Sequence, residues 1–264
     1  MLRHPLRVAI RLGIFVGITL AALSEAFWRI GWFKVTSFPA RAAWLNRWSR
    51  RTLRSFNIQV HHTGHPPIQG FLVSNHLSYL DILVLAAIAP TVFVSKYEVR
   101  RWPAIGWLAQ CAGTLFVQRE QRSDVQRLGS ECEKVIQSGT IVGLFPEGTS
   151  TDGSQVLPFY SALLAPAARH QWPVTPAWIT YELAEGSVAE EICYWREMTF
   201  FPHFLNLLSK KRLQATVIYG EPLSSAMDRK ELARALHERV CHLKETHAAK
   251  KRRPDGAPWL PATT

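Results

Sequence analysis

Residues 70–90 read GFLVSNHLSYLDILVLAAIAP, and the order of residue types inside them decides the fold. Residues 70–74 form a short apolar run of strand length, and residues 79–89 form a longer apolar run of helix length that Pro90 cannot continue. The polar residues Asn75, His76, Ser78 and Asp81 gather at the junction. A buried strand feeding a helix is the unit from which α/β sheets are built.

Working outward, the same grammar recurs. Residues 57–62 alternate as a strand does, and His65-Pro66-Pro67 breaks them. Residues 91–95 and 140–145 read as further strands, the second followed by Pro146-Glu147-Gly148. Between these two lies a helix over 124–137, apolar at Val125, Leu128, Cys132, Val135 and Ile136, with Gly139 as its C-cap. Residues 160–170 read as a helix, 174–179 and 213–219 as strands, and 231–243 as an amphipathic helix. The expected fold is α/β, with a mixed, largely parallel central sheet flanked by helices and an N-terminal helical membrane-binding portion. Its divisions are 1–56 as anchor, 57–247 as catalytic domain, and 248–264 as a basic, disordered tail.

The 264 residues carry a formal charge of +11 and an apolar fraction of 47%, enough for a core without disulfides or metals. Cys111, Cys132, Cys193 and Cys241 are widely spaced and make no CxxC, so they read as reduced structural thiols. His61, His62 and His65 lie close together, but nothing in the sequence orients them as metal ligands, and no metal is expected. The charge asks for an anionic partner, and lipid is favoured over nucleic acid because no nucleic-acid reader motif is present. Trp28, Trp32, Trp44 and Trp48 alternate with Arg29, Lys34, Arg41, Arg47 and Arg50, a pairing suited to the headgroup level of a bilayer.

Residues 12–24, LGIFVGITLAALS, are uncharged, and Arg3, Arg7 and Arg11 precede them. Glu25 and Arg29 interrupt the apolar run before it reaches a full span. A short or tilted span, a helix lying in the interface, and a secretory signal all fit. Apolar and aromatic residues continuing past Ser24 favour a retained anchor. Positive-inside reasoning then places the catalytic domain on the cytoplasmic side, as on a bacterial inner membrane.

Asn75-His76-Leu77-Ser78-Tyr79-Leu80-Asp81 carries the chemistry. An Asp in the first helical turn can accept the Nδ1 proton of a His at the strand end, which fixes the tautomer and leaves Nε2 as a base. Acyl transfer to an alcohol needs such a base. Ser78-x-x-Asp81 also resembles a capping box, so a purely structural Asp81 is the competing reading. Phe145-Pro146-Glu147-Gly148-Thr149 follows a buried strand, at the edge where α/β sheets bind ligands. Glu147 offers an acceptor there, and Gly148 allows close backbone approach. Arg119 ends the apolar run after Gly113, with a guanidinium suited to phosphate.

On these motifs the chain resembles the lysophosphatidic-acid-type acyltransferases of the glycerolipid acyltransferase superfamily. NHLSYLD is similar to that family's NHxxxxD block, GTLFVQR to its second, FPEGT to its third, and Val174-Thr175-Pro176-Ala177 to its fourth. The resemblance implies His76 and Asp81 as the catalytic pair, and acceptor binding by Arg119, Glu147, Gly148 and Thr149. Asn75, Lys96, Phe145 and Pro146 support the motifs. It also implies acyl-CoA or acyl-carrier protein as donor, no cofactor, and a lysolipid acceptor, foremost 1-acylglycerol-3-phosphate, giving phosphatidic acid. Ser150 departs from the Arg that often follows FPEGT in the family. Losing one charged donor weakens phosphate recognition by roughly 1.5–3 kcal/mol unless another group replaces it. A lyso-ornithine lipid is therefore an alternative acceptor.

Overall fold

The computed structural model describes residues 4–118, 122–223 and 227–252. Seven strands form one sheet in the order β1-β7-β6-β2-β5-β3-β4. They are β1 (Ile58–Thr63), β2 (Gly70–Ser74), β3 (Thr91–Lys96), β4 (Leu115–Val117), β5 (Ile141–Leu144), β6 (Val174–Leu183) and β7 (Leu213–Tyr219). Only the β6–β7 pairing is antiparallel, so the sheet is mixed and largely parallel. Strands covered on both faces must be apolar throughout, and β2 and β5 are buried along their whole length.

The helices are α1 (Pro5–Ala26), α2 (Phe38–Ser55), α3 (Leu80–Ile88), α4 (Ile105–Cys111), α5 (Arg122–Gln137), α6 (Ala165–His170), α7 (Val188–Glu191), α8 (Phe200–Ser209) and α9 (Arg229–Arg252). One core cluster joins α3, β6, β7 and α8 through Leu80, Val84, Ile179, Val217 and Phe204. The other joins β2, β5, α5 and α9 through Phe71, Val142, Leu128 and Leu236. Burial of side chains such as Leu80 and Leu85 stabilises the fold by about 1.5–3 kcal/mol each.

Three boundaries differ most from the sequence expectation. Residues 161–164 make a 3₁₀ turn before α6, because Pro166 suits only a first helical turn. Strand β6 runs on to Leu183, since antiparallel pairing with β7 supplies partners beyond Ala177. Helix α9 runs to Arg252, well into the stretch expected to be disordered, because no helix breaker precedes Pro254 and Lys251 pairs with Glu182 at 3.0 Å. Residues 253–264 lie outside the described residues.

The N-terminal helices correct the reading of the basic residues most. A helix end leaves carbonyls without partners, and cationic donors satisfy them well. Arg7 donates to Ser209 O at 2.8 Å, while Arg11 donates to Leu208 O at 3.1 Å and to Lys210 O, closing the end of α8. Arg50 and Asn46 of α2 close the end of α3, on Ala87 O at 2.7 Å and on Ala86 O at 2.6 Å. Arg41 closes the end of α4, on Cys111 O at 3.0 Å and on Gln110 O. Glu25 accepts from Arg29, Arg47 and Trp48, so this acidic residue joins α1 to α2. Trp44 is buried against Ala22, Ala26 and Ala112. Trp28 and Trp32 stay exposed, beside Phe27 and Phe33. Much of the expected headgroup belt is therefore internal packing.

Removing the buried Arg11 side chain leaves Leu208 O and Lys210 O, at the end of α8, without their charged donor. Arg11→Met should lower stability by roughly 1.5–3 kcal/mol, read as a fall in the midpoint of thermal unfolding in detergent, whereas Leu6→Ala on the exposed face should leave it nearly unchanged.

Candidate active site

Strands β2 and β5 are neighbours, and their carboxyl ends deliver the two motifs to one edge of the sheet. Asn75 fixes the exit of β2. Its side chain donates to Ile179 O at 3.1 Å and accepts from Ile179 N at 2.8 Å, extending the β2–β6 pairing by one side chain. The chain then turns, and His76 comes to lie over the end of β5.

His76 Nδ1 lies 2.7 Å from Asp81 Oδ2. The same oxygen accepts from Leu77 N at 2.7 Å and Ser78 N at 2.9 Å, while Oδ1 accepts from Tyr181 OH at 2.6 Å. Asp81 is fully buried. A buried carboxylate is costly unless saturated with donors, and this one has four. It therefore caps the start of α3 and also orients the histidine, so the capping and relay readings are both true of one group. Burial, the Asp81 charge and the shared hydrogen bond push the Tyr181 phenol well above its ordinary value, so Tyr181 remains a donor.

Because Asp81 accepts, His76 presents Nδ1–H to it and carries its lone pair on Nε2. Nε2 has no protein partner among the described residues, and the side chain is 21% exposed. Phe145 stacks on the imidazole with centroids 4.2 Å apart and planes 18° apart, and Phe93 stacks behind Phe145. Gly143 makes room for this stack, since a Cβ there would come within 2.7 Å of the Phe93 ring.

Glu147 sits differently from the sequence expectation of a free acceptor. It is buried, Oε1 accepts from His76 N at 2.7 Å, and Oε2 accepts from Leu157 N at 2.7 Å. Burial pushes its carboxyl above the ordinary value, against the lowering effect of those two amides. Gly148 turns the chain at φ 75°, where a side chain is disfavoured, and its N–H donates to Phe145 O at 3.1 Å. Pro146 is buried and its carbonyl accepts from Tyr160 N at 2.9 Å. Thr149 is exposed beside this turn, and Lys96 is exposed at the end of β3. Arg119 lies outside the described residues.

Sequence reasoning did not find the second layer. Tyr79, just before α3, bonds through its hydroxyl to His203 Nδ1 at 3.0 Å, and His203 Nε2–H donates to Cys193 O at 3.1 Å. Tyr194 N donates to Leu77 O at 2.8 Å. The segment carrying α7 and α8 thus buttresses the His76 turn. Its only sequence signal is the apolar, aromatic run 199–208. The four cysteines are free, and no cluster of metal-ligating side chains occurs among the described residues.

A base at a sheet edge, held by a buried carboxylate and left open at Nε2, can take the proton of a hydroxyl, as O-acyl transfer requires, and the chain's relatives place it among the O-acyltransferases. Comparison with known proteins agrees. The Acyltransferase family matches residues 57–180. The lyso-ornithine lipid O-acyltransferase of Pseudomonas aeruginosa is 34% identical over 242 residues, covering 90% of this chain and 92% of that protein. The protein of the same description in Rhodobacter capsulatus is 39% identical over 178 residues, 65% of this chain and 64% of that one. A 1-acyl-sn-glycerol-3-phosphate acyltransferase of Neisseria gonorrhoeae is 38% identical over 104 residues, 39% of this chain and 40% of that one. The crystal structure of the 1-acyl-sn-glycerophosphate acyltransferase PlsC from Thermotoga maritima shares the fold, with a TM-score of 0.59 and 20% identity over 92% of this chain and 98% of that one. The chain belongs to the lysophosphatidic-acid-type acyltransferase family.

Burial holds the His203 imidazole below its ordinary value, with the nearby Lys210 charge acting in the same direction and the bond to Cys193 O opposing both. The unfolded chain then binds a proton that the folded chain resists, so stability falls as pH drops below the ordinary value of 6.5. Urea midpoints measured from pH 7.5 down to about 5.5 should decline, and His203→Gln should flatten the decline.

Proposed function

We propose that this enzyme moves a fatty acyl group from an acyl thioester, acyl-CoA or acyl-carrier protein, to the free hydroxyl of a lysolipid, with lyso-ornithine lipid as the acceptor. The observation that carries the reading is the open Nε2 of His76 opposite an Nδ1 held by Asp81 at 2.7 Å. Nε2 takes the proton of the acceptor hydroxyl as its oxygen attacks the thioester carbonyl carbon. The carbonyl re-forms, the C–S bond breaks, and the thiolate leaves with the proton returned by the imidazolium. Asp81 stabilises that imidazolium through its bond to Nδ1. No acyl-enzyme is needed, so Ser78 and the cysteines are not nucleophiles.

In this reading His76 and Asp81 are catalytic. Glu147 is a positioning residue that sets the His76 backbone, and Gly148 and Thr149 border the acceptor; the family resemblance assigns Arg119 to the acceptor as well. Lyso-ornithine lipid is favoured by the extent of the match to the Pseudomonas aeruginosa protein and by Ser150, whose hydroxyl donates to Tyr194 O where the family often has an arginine. The second reading, 1-acylglycerol-3-phosphate giving phosphatidic acid, is favoured by the match to the Neisseria gonorrhoeae protein across the motif region.

Membrane association is supported by α1, whose apolar Leu6, Ile10, Ile14 and Leu20 are exposed. That helix is long and apolar enough to cross a bilayer. Arg7 and Arg11 tie it to α8, however, which favours a helix lying in the interface with the catalytic domain docked on it. The cytoplasmic face remains the expected side.

Membranes containing the protein, given radiolabelled acyl-CoA or acyl-carrier protein, should acylate lyso-ornithine lipid. His76→Ala should lower that rate by about 10²–10⁴-fold, and Asp81→Asn should lower it greatly with the protein still folded. Wild-type-like turnover in either variant would exclude the relay.

A further inference from the structure

Ser150 removes a cation from the motif that usually carries one, yet the structure places another beside it. Three loops are laced together at the site. Thr151 N donates to His76 O at 2.9 Å, Tyr194 N donates to Leu77 O at 2.8 Å, and the Ser150 hydroxyl donates to Tyr194 O. Asp152 is one residue past Thr151, and Arg196 is two past Tyr194. At 3.8 Å per residue, both backbones stand within about 8 Å of atoms bonded to the His76–Leu77 turn.

Arg196 is pre-organised. Its backbone takes the left-handed conformation, φ 54°, which a non-glycine residue adopts uncommonly. Its guanidinium lies 3.8 Å from the centroid of the Trp195 ring, and that indole is fixed by donation from Nε1 to Ala189 O at 2.9 Å. Asp152 is fixed as well, with Oδ1 accepting from Ser154 N at 3.0 Å and Ser154 Oγ at 2.7 Å, and Oδ2 left over. Those bonds to Ser154 hold its carboxyl below the ordinary value, and the Arg196 charge adds to the effect. The two charges sense one another but make no direct ion pair among the described residues. A fixed cation and a fixed anion on two loops laced to the same turn suit a ligand that carries both charges.

We propose that Arg196 and Asp152 read the acceptor headgroup, Arg196 taking a carboxylate and Asp152 an ammonium, which selects zwitterionic lysolipids over anionic ones. The assignment rests on the lysolipid reading above. Ornithine acylated on its α-nitrogen keeps a carboxylate and a side-chain ammonium, so its lipid meets both partners. A planar guanidinium binds the carboxylate with two parallel bonds. The phosphate of 1-acylglycerol-3-phosphate gains Arg196 but is repelled by Asp152.

The test is steady-state acylation by the full-length protein in membranes, with lyso-ornithine lipid and 1-acylglycerol-3-phosphate as separate acceptors. Arg196→Asn keeps a residue that tolerates the left-handed backbone, and Asp152→Asn keeps the turn to Ser154. Each should raise KM for lyso-ornithine lipid by about tenfold with kcat nearly unchanged, the pattern of lost binding rather than lost chemistry. Asp152→Asn should leave KM for 1-acylglycerol-3-phosphate unchanged or lower. If wild type acylates lyso-ornithine lipid and both variants keep its KM, the headgroup assignment fails while the acyl-transfer reading stands. If wild type acylates only 1-acylglycerol-3-phosphate, the zwitterion assignment is overturned. If it acylates neither from either donor, both fall together.

Discussion

A carboxylate with no solvent around it must be given donors by the protein, and Asp81 obtains four. They come from different parts of the chain: the imidazole of His76, the amides of Leu77 and Ser78, and the hydroxyl of Tyr181. Satisfying them together fixes where β2 ends, how the chain turns, where α3 begins and how β6 lies alongside. Glu147 imposes the same condition from the other side, joining the His76 amide to the Leu157 amide. The His76 imidazole is thus suspended between two buried acids, one holding its ring and the other its backbone. Neither carboxylate needs to move for Nε2 to act.

This arrangement explains how a short motif can have a wide influence. Residues between His76 and Asp81 are not spacers, because two of their amides fill the aspartate's remaining lone pairs. Tyr79 carries the influence outward to His203 and, through it, to the carbonyl of Cys193. The aromatic run around α8 therefore shapes the His76 turn although it lies more than a hundred residues away in sequence. The Phe145 and Phe93 rings do comparable work on the other face of the imidazole, filling the space behind it with rigid apolar surface.

The strands and the His76–Asp81 pair were legible in the sequence because both depend on local order: apolar runs of strand length, a polar junction, and an acid one turn into a helix. The orientation of Glu147 was not legible, since its partner amides at His76 and Leu157 are set by tertiary packing. The contacts of the basic N-terminus were not legible for the same reason. Arg7 and Arg11 meet the end of α8, some 200 positions later, only in the folded chain. Arg41 and Arg50 likewise face carbonyl ends that composition cannot reveal. The pair Arg196 and Asp152 was invisible because neither belongs to a motif, and only the lacing of three loops brings them near the same turn.

The link between α1 and α8 also sets a height. Guanidinium groups that close a neighbouring helix cannot let go without stranding its last carbonyls, so the apolar stripe of α1 and the His76 turn keep a fixed separation. A bilayer that takes up that stripe meets the base at one altitude only. For a bilayer that takes up that stripe, depth of reaction is a dimension of the protein, measured from the lipid surface like the stylus of a gauge.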